Sequence, residues 1–257
     1  SFPVSFCGWC HKIPVLVHEA NAKMGLSNKI ASYFANKVAL GLPIENLKLS
    51  KYILTGTPIR KEFGDVMGKR QARALLDLPL DKSLIVIFGG SQGAKKINEV
   101  FVEIAKKQDN CHFFHITGKR DYEYIKTLYG KIPENVTLAD YCSQMHLALK
   151  AADIVVSRSG ASIIAELITV KTPAILVPFP HATARHQYFN AKVLEKYGAV
   201  KIIRDTRSFQ SDFSDIISQI FADKSSLAKM ADAYKNVPIP NPVGATDKLL
   251  EIIQMLV

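Results

Sequence analysis

The sequence predicts a doubly wound α/β protein, a parallel sheet with helices on both faces, and three observations carry that prediction. Short apolar or β-branched runs recur at 15–17, 84–88, 113–117, 153–157, 173–177 and 200–203. Each is followed by a turn and then a stretch with helical spacing, at about 26–34, 94–107, 121–129, 162–170, 187–196 and 213–221. The runs are apolar throughout rather than alternating, the mark of strands buried on both faces of a parallel sheet. Strands alternating with helices define the α/β class.

Two interruptions divide the chain. Thr55-Gly56-Thr57-Pro58-Ile59-Arg60 is turn-rich and leads into the charged stretch 61–73, so it reads as the link between a first, partial α/β unit and a second, complete one. Residues 237–244 carry three prolines at alternate positions, Pro238, Pro240 and Pro242. Proline at that spacing fits neither a helix nor a central strand. A last amphipathic helix follows at about 245–255.

Composition narrows the class. With 257 residues, 48% hydrophobic and 22% charged, the chain has apolar surface enough for a core, which excludes disordered, collagen-like and disulfide-framework proteins. Length suggests one large domain or two modest ones, at roughly 100–200 residues each. Four Cys in such a chain make no staple pattern, so a reducing, cytosolic setting is expected. No apolar run approaches the ~20 residues of a membrane-spanning helix. The first eighteen residues have no basic lead-in, and His11 and Lys12 interrupt their apolar part, unlike a secretory signal. Thirty-three Lys and Arg against 23 Asp and Glu leave a net charge of +10. That excess favours an anionic partner (nucleic acid, phospholipid headgroups or a phosphorylated substrate) or belongs to a basic soluble protein without one. The chain starts at Ser1 directly in patterned sequence, and an N-terminal piece is expected to be missing.

Several segments carry candidate chemistry. Residues 84–88 run straight into Gly89-Gly90-Ser91-Gln92-Gly93-Ala94 and a helix. A strand, a glycine turn and a helix start present unpaired N–H groups and the positive end of a helix dipole, which suits a diphosphate. Ser91 adds a hydroxyl donor. The segment is neither GxGxxG nor a P-loop, and an ordinary tight βα turn is the competing reading. Ser157-Arg158-Ser159-Gly160-Ala161 repeats the arrangement, with Glu166 in the second helical turn placed to accept both hydroxyls of a ribose. Alternatively, Ser159 or Ser162 is an N-cap and Glu166 a solvated helix residue. Two such turns at the carboxyl edge of one sheet fit the place where open α/β sheets bind ligands.

Gln187 and Asn190, three apart on one helical face after a Pro-rich loop, suit recognition of neutral hydroxyls, or cap a helix. His181 and His186 lack a third ligand, so no metal site is expected. His18-Glu19-Ala20-Asn21 closes a buried strand, and His18 is either an acid–base group or a satisfied structural histidine. Cys7-Gly8-Trp9-Cys10-His11 matches redox and haem-attachment spacings, but the context favours a fortuitous pair of reduced thiols.

Taken together, HEANAKMGLSNK, TGTPIR, FGGSQGA, SRSGASIIAE and HQYFNA resemble, in order and approximate spacing, the MurG family of bacterial UDP-N-acetylglucosamine transferases, of glycosyltransferase family 28. The similarity runs from Ser1 to about Arg204 and resumes weakly at Gly244-Ala245-Thr246-Asp247. The resemblance implies a GT-B fold of two Rossmann-like domains across a cleft. It assigns residues 1–60 to the last part of an acceptor domain, 61–240 to a UDP-sugar donor domain, and 241–257 to a helix crossing back. It also implies donor contacts at Asn21, Arg60, Ser91, Gln92, Gln187, Asn190 and the segment Ala161, Ser162, Ile163, Ile164, Ala165 and Glu166, with Cys142 in the loop near uracil. Ala20 stands where the family usually has glutamine. The family's N-terminal GGTGGH turn, carrying the proposed general base, has no counterpart, and roughly a hundred residues, one typical α/β domain, are expected to be absent. His18 is the fallback for the base.

The resemblance implies inverting transfer of N-acetylglucosamine from UDP-GlcNAc to the 4-hydroxyl of an undecaprenyl-diphosphate-linked N-acetylmuramoyl-pentapeptide, lipid I to lipid II. It implies no cofactor beyond the donor substrate and no nucleic acid, with peripheral attachment to the anionic cytoplasmic face of the bacterial cell membrane. Two rivals remain: a GT-B UDP-sugar epimerase, for which only Glu19 is placed as a carboxylate, and a donor-binding half completed by another chain.

Overall fold

The computed structural model describes residues 2–45, 47, 50–90 and 93–256, with side chains for all of these but Phe221 and Lys224. The chain opens with α1 (Phe2–Cys10), β1 (Leu16–Glu19), α2 (Leu26–Phe34), β2 (Lys37–Leu40) and β3 (Tyr52–Leu54). The three strands form one parallel sheet in the order β1-β2-β3. Val17, Ala31, Ala35, Val38 and Leu40 make its small core. Helix α1 leans on α2, with the rings of Phe6 and Trp9 centred 5.3 and 5.4 Å from that of Phe34. Cys7 and Cys10 are exposed free thiols in the last turn of α1. A reactive thiolate pair would sit at a helix start instead, where the dipole lowers its pKa.

A 3₁₀ turn, Lys61–Gly64, leads into the second unit: α3 (Lys69–Leu75), β4 (Ser83–Phe88), α4 (Lys95–Ala105), β5 (Cys111–Ile116), α5 (Tyr122–Tyr129), β6 (Val136–Ala139), α6 (Met145–Ala151), β7 (Ile154–Ser157) and α7 (Ala161–Val170). There follow β8 (Ala174–Leu176), α8 (His186–Glu195), β9 (Val200–Ile202), α9 (Phe209–Ala222), α10 (Lys224–Ala233) and α11 (Ala245–Leu256). The second sheet is parallel throughout, in the order β6-β5-β4-β7-β8-β9. From β4 the chain winds outward through β5 and β6, then returns to add β7, β8 and β9 on the other side. The reversal lies between β4 and β7, where an open α/β sheet leaves a crevice.

Alternation along these strands feeds two cores. Leu84, Val86 and Phe88 face one, with Phe114, Val155 and Leu176; Ile85 and Ile87 face the other, with Phe113, Val156 and Ile175. Each fully buried Val, Ile, Leu or Phe side chain contributes about 1.5–3 kcal/mol. The register aligns the strand ends: Phe88 lies opposite Ile116 and Ser157, and Ile116 opposite Ala139. The turns after β4, β5, β6 and β7 therefore leave the sheet side by side.

The two units share a core. Leu42 and Phe63, each 1% exposed, pack in the same cluster as Val86 and Leu147. A 3₁₀ turn, Pro242–Gly244, packs against α7 and the Lys61–Gly64 turn before α11 begins. Among the described residues no helix is long and apolar enough to cross a membrane.

Candidate functional site

A cleft of about 530 Å³ opens at the reversal point of the second sheet. Its walls are Gly89 and Gly90 after β4, Gly118 after β5, the 140–142 segment with Met145 after β6, and the start of α7. Gly89 must be glycine, because a Cβ there would lie 2.3 Å from the Ala94 nitrogen. Helix α7 begins on the cleft wall with Gly160 as N-cap, and α4 begins directly behind Gly89 with Ala94 as N-cap; neither has a side-chain cap hydrogen bond. Their first N–H groups and dipole ends favour an anion in the cleft. Neither Ser159 nor Ser162 is the cap. The Ser159 hydroxyl donates to the Gln187 carbonyl at 2.9 Å, and Ser162 is exposed on the cleft wall.

Glu166 lines the cleft from the second turn of α7 and makes no hydrogen bond to any described residue. Burial pushes its carboxyl up to about 7, with the Arg60 guanidinium pulling the other way. A carboxylate so placed waits for donors from a ligand. Arg60 comes from the linker of the first unit, donates through Nη1 to the Ser143 carbonyl at 3.1 Å and stacks over Phe63 at 5.4 Å. Beside Ser143, Cys142 is 8% exposed and lines the cleft; burial raises its thiol against the Gln144 N–H and Arg60. Gln187 lines the far wall, its Oε1 accepting from the Phe179 N–H at 2.9 Å.

The structure thus brings Cys142, Ala161, Ser162, Ile163, Glu166 and Gln187 around one cleft, with Arg60 beside Cys142 and Glu166. Ser91 and Gln92 lie outside the described residues. Ile164, Ala165 and Asn190 are not among the residues that line the cleft. Ile164 and Ala165, 0% and 2% exposed, occupy the inward face of α7, so their side chains pack behind the cleft wall. Asn190 is 0% exposed, and its amide is already committed. Asn190 Oδ1 accepts from the Ala22 N–H at 2.8 Å, while Nδ2 donates to Asn21 Oδ1 at 3.0 Å and to the Ser159 carbonyl at 3.2 Å.

Asn21 and Asn190 therefore bridge the two units in this arrangement. Asn21 also donates to Glu19 Oε1 through its N–H and Nδ2, at 2.9 and 3.0 Å. Burial raises the Glu19 carboxyl, but N–H groups of Asn21 and Gly25 and the amides of Asn28 and Asn21 outweigh it and hold the group below its usual range. Both carboxylate oxygens are occupied. His18 points Nε2 at the Gly56 carbonyl, 3.4 Å away, and is not part of the cleft lining.

Arg158 went unrecognised as a wall residue. Its guanidinium meets Asp205 at 2.8 Å and the Val177 carbonyl at 3.1 Å, and covers Phe179 at 5.4 Å. It ties the turn after β7 to the loop after β8. The sequence signal was an arginine directly past a buried strand, next to small residues. Gly118 was findable the same way. Among the described residues no group of three His, Cys, Asp or Glu side chains is placed to hold a metal.

Residues 84–241 match the glycosyltransferase family 28 C-terminal domain. The chain is 36% identical, over its whole length and 72% of the relative, to the UDP-N-acetylglucosamine–N-acetylmuramyl-(pentapeptide) pyrophosphoryl-undecaprenol N-acetylglucosamine transferase of Elusimicrobium minutum (strain Pei191). It is 37% identical to the enzyme of that name from Acetivibrio thermocellus, over 98% of the chain and 69% of the relative. The crystal structure of Acinetobacter baumannii MurG superposes with a TM-score of 0.82 at 27% identity, covering 99% of this chain and 70% of that one. An uncapped, glycine-walled cleft at the sheet reversal, in a chain so related throughout, places this protein in glycosyltransferase family 28, among the MurG N-acetylglucosamine transferases.

Proposed function

We propose that the chain transfers N-acetylglucosamine from UDP-GlcNAc to the 4-hydroxyl of undecaprenyl-diphosphate-linked N-acetylmuramoyl-pentapeptide, turning lipid I into lipid II with inversion at C1. Residues 61–240 carry the donor site, 1–60 belong to the acceptor side, and 241–257 form the returning helix. The observation that carries the reading is the convergence on one cleft of the glycines that precede α4, the start of α7 with no side-chain cap, and the half-buried Glu166 carboxylate. Uridine fits with its ribose on Glu166 and its base near Cys142, and the diphosphate then falls on the glycine turn at residues 89–93. Gln187 stands on the sugar side, while Asn21, its amide engaged by Glu19 and Asn190, holds the two units together.

In the transition state the sugar gains positive and the diphosphate negative charge. Helix-terminal N–H groups and Arg60 meet the leaving group, so this reading calls on no resident cofactor. A general base must take the acceptor hydroxyl proton; His18, bound to the Gly56 carbonyl, is not poised at the cleft for that step. Epimerase chemistry would need a free carboxylate at the sugar carbon, and Glu19 has both oxygens engaged.

The test is calorimetric titration with UDP-GlcNAc, UDP-glucose and GDP-sugars beside a lipid I transfer assay. UDP-GlcNAc is expected to bind tightest and to be transferred. Binding without transfer would favour a donor half completed by another chain, and no preference for uridine diphosphates would end the proposal.

Peripheral contact with an anionic membrane is supported by one face of the first unit. Trp9, which packs on Phe34 of α2, and Leu26 and Tyr33 of α2 itself are 56%, 75% and 73% exposed, and Lys12 and Lys29 on the same two segments are exposed as well. Apolar anchors beside basic side chains suit anionic headgroups. In flotation with phosphatidylglycerol vesicles the protein is expected to rise with the lipid and to be released by salt; equal recovery on neutral vesicles would remove the charge argument.

A further inference from the structure

Beneath the glycine turn runs a chain of buried polar side chains that the donor contacts above do not use. Tyr129 ends α5, His115 sits in β5, Asn98 lies in the first turn of α4, and Asp121 precedes α5. His115 and Asn98 are fully buried, Tyr129 and Asp121 nearly so. His115 Nδ1 lies 3.0 Å from the Tyr129 hydroxyl and Nε2 3.1 Å from Asn98 Oδ1. Asn98 Nδ2 donates to the Thr117 carbonyl at 2.9 Å and to Asp121 Oδ2 at 3.2 Å.

The directions follow from the donor inventory. Asn98 Oδ1 can only accept, so Nε2 carries the ring proton and Nδ1 accepts from Tyr129. Burial pushes the imidazole down to about 3, which keeps it neutral and the chain of donors running one way, from Tyr129 to Asp121. Four polar groups have been taken out of water here, where apolar side chains would pack without that desolvation cost. Directional bonds supply what apolar packing does not, a fixed distance between two loops.

Those loops meet at Gly93. Its φ is +74°, and a Cβ there would lie 2.6 Å from Asp121 Oδ2 and 2.8 Å from the Thr117 carbonyl oxygen. These are the two acceptors that Asn98 holds. The Gly93 N–H closes the turn on the Gly90 carbonyl at 2.9 Å, and Gly90 and Gly118 line the cleft directly above.

We propose that Asn98 is a positioning residue for diphosphate recognition. Through Thr117 and Asp121 it sets the β5–α5 loop against Gly93, and so fixes the two described ends of the glycine turn, Gly90 and Gly93, and the start of α4. His115 and Tyr129 orient its amide. The inference rests on the donor-site reading, in which uridine meets Glu166 and the Cys142 loop while only the diphosphate meets the turn. A positioning role and a general packing role then differ in one observable, the ratio of UDP to uridine affinity.

UDP and uridine are titrated into the wild-type protein, Asn98→Ala and Asn98→Asp, each checked for a cooperative melt. The aspartate variant keeps the volume and the acceptor for His115 but turns an acceptor towards Thr117 and Asp121, so it covers failure of the alanine variant to fold. UDP affinity is expected to fall about tenfold, the scale of one or two lost hydrogen bonds, with uridine affinity held within about twofold. Parallel loss of both affinities, or loss of neither, would overturn the role given to Asn98. A wild-type protein that binds neither ligand would instead overturn the donor-site reading.

Discussion

Glu166→Ala is expected to weaken UDP-GlcNAc binding by about 1–3 kcal/mol, roughly 5- to 150-fold. The variant removes the acceptor for the ribose hydroxyls, and water entering the space recovers part of the loss. Glu166→Gln keeps one acceptor and should lose less. The pH dependence separates a ligand-facing carboxylate from a bystander. Burial holds Glu166 up at about 7, so near neutrality part of the free protein carries a protonated, weaker acceptor. Affinity for uridine, which has no phosphate to titrate, should rise as pH passes upward through 7. That rise should vanish in Glu166→Gln. The same raised value makes Glu166 a stabilising group below its ordinary 4.5, and that contribution is lost as pH climbs towards 7. Unchanged ligand affinity in the alanine variant would remove Glu166 from the site.

Arg73→Ala should cost about 2–4 kcal/mol of folding stability, because it leaves buried carbonyls unpaired and removes one partner of Asp153, at roughly 1–3 kcal/mol per buried group left without its bond. Arg73 is 4% exposed, and its guanidinium meets Asp153 at 2.6 Å, the Lys82 carbonyl at 2.8 Å and the Ala151 carbonyl at 2.9 Å. Asp153 also accepts from the Leu84 N–H and from Lys69. The cluster pins α3 to the head of β4 and the approach to β7, two strands whose far ends carry the cleft. Burial raises the Asp153 carboxyl, but Lys69, the Leu84 N–H and Arg73 outweigh it and lower it overall. Its stabilisation is therefore present above pH 3.8 and is lost as pH falls through the depressed folded value. Urea melts should show the loss in Arg73→Ala together with a shallower acid dependence. A cost below about 1 kcal/mol would class the pair with ordinary surface bridges.

The central elements were legible because their patterns are unambiguous. Residues 26–34 were read as a helix and are α2; 84–88 were read as a buried strand and belong to β4. Strands β2, β3 and β6 were not read. Strands β3 and β6 are largely half-buried edge strands and β2 opens on Lys37, so none presents the uninterrupted apolar run of a central strand. Helix α3 lies in the charged stretch after the linker and is hard to see in the sequence, because Arg73 docks it by an ion pair and carbonyl contacts. Helix α1 has no apolar stripe to mark it in the sequence, since Ser5 is its one buried residue among those described.

The site divides along similar lines. A glycine turn or a carboxylate early in a helix announces itself locally, and Gly89, Gly90 and Glu166, all legible in the sequence, line the cleft. The pairing of Asn190 with Asn21 could not, because it joins residues far apart in the chain and depends on how the two sheets face each other. Ile164 and Ala165 were included as part of a contiguous motif, although a helix turns about 100° per residue and cannot show every side chain to one cleft.

The most direct test of the account is a crystal structure with UDP. In that crystal the diphosphate is expected on the glycine turn and the start of α4, with the ribose hydroxyls on Glu166 and the base beside Cys142. Density for the nucleotide elsewhere, or a filled cleft in which Glu166 touches no part of it, would contradict the assignment.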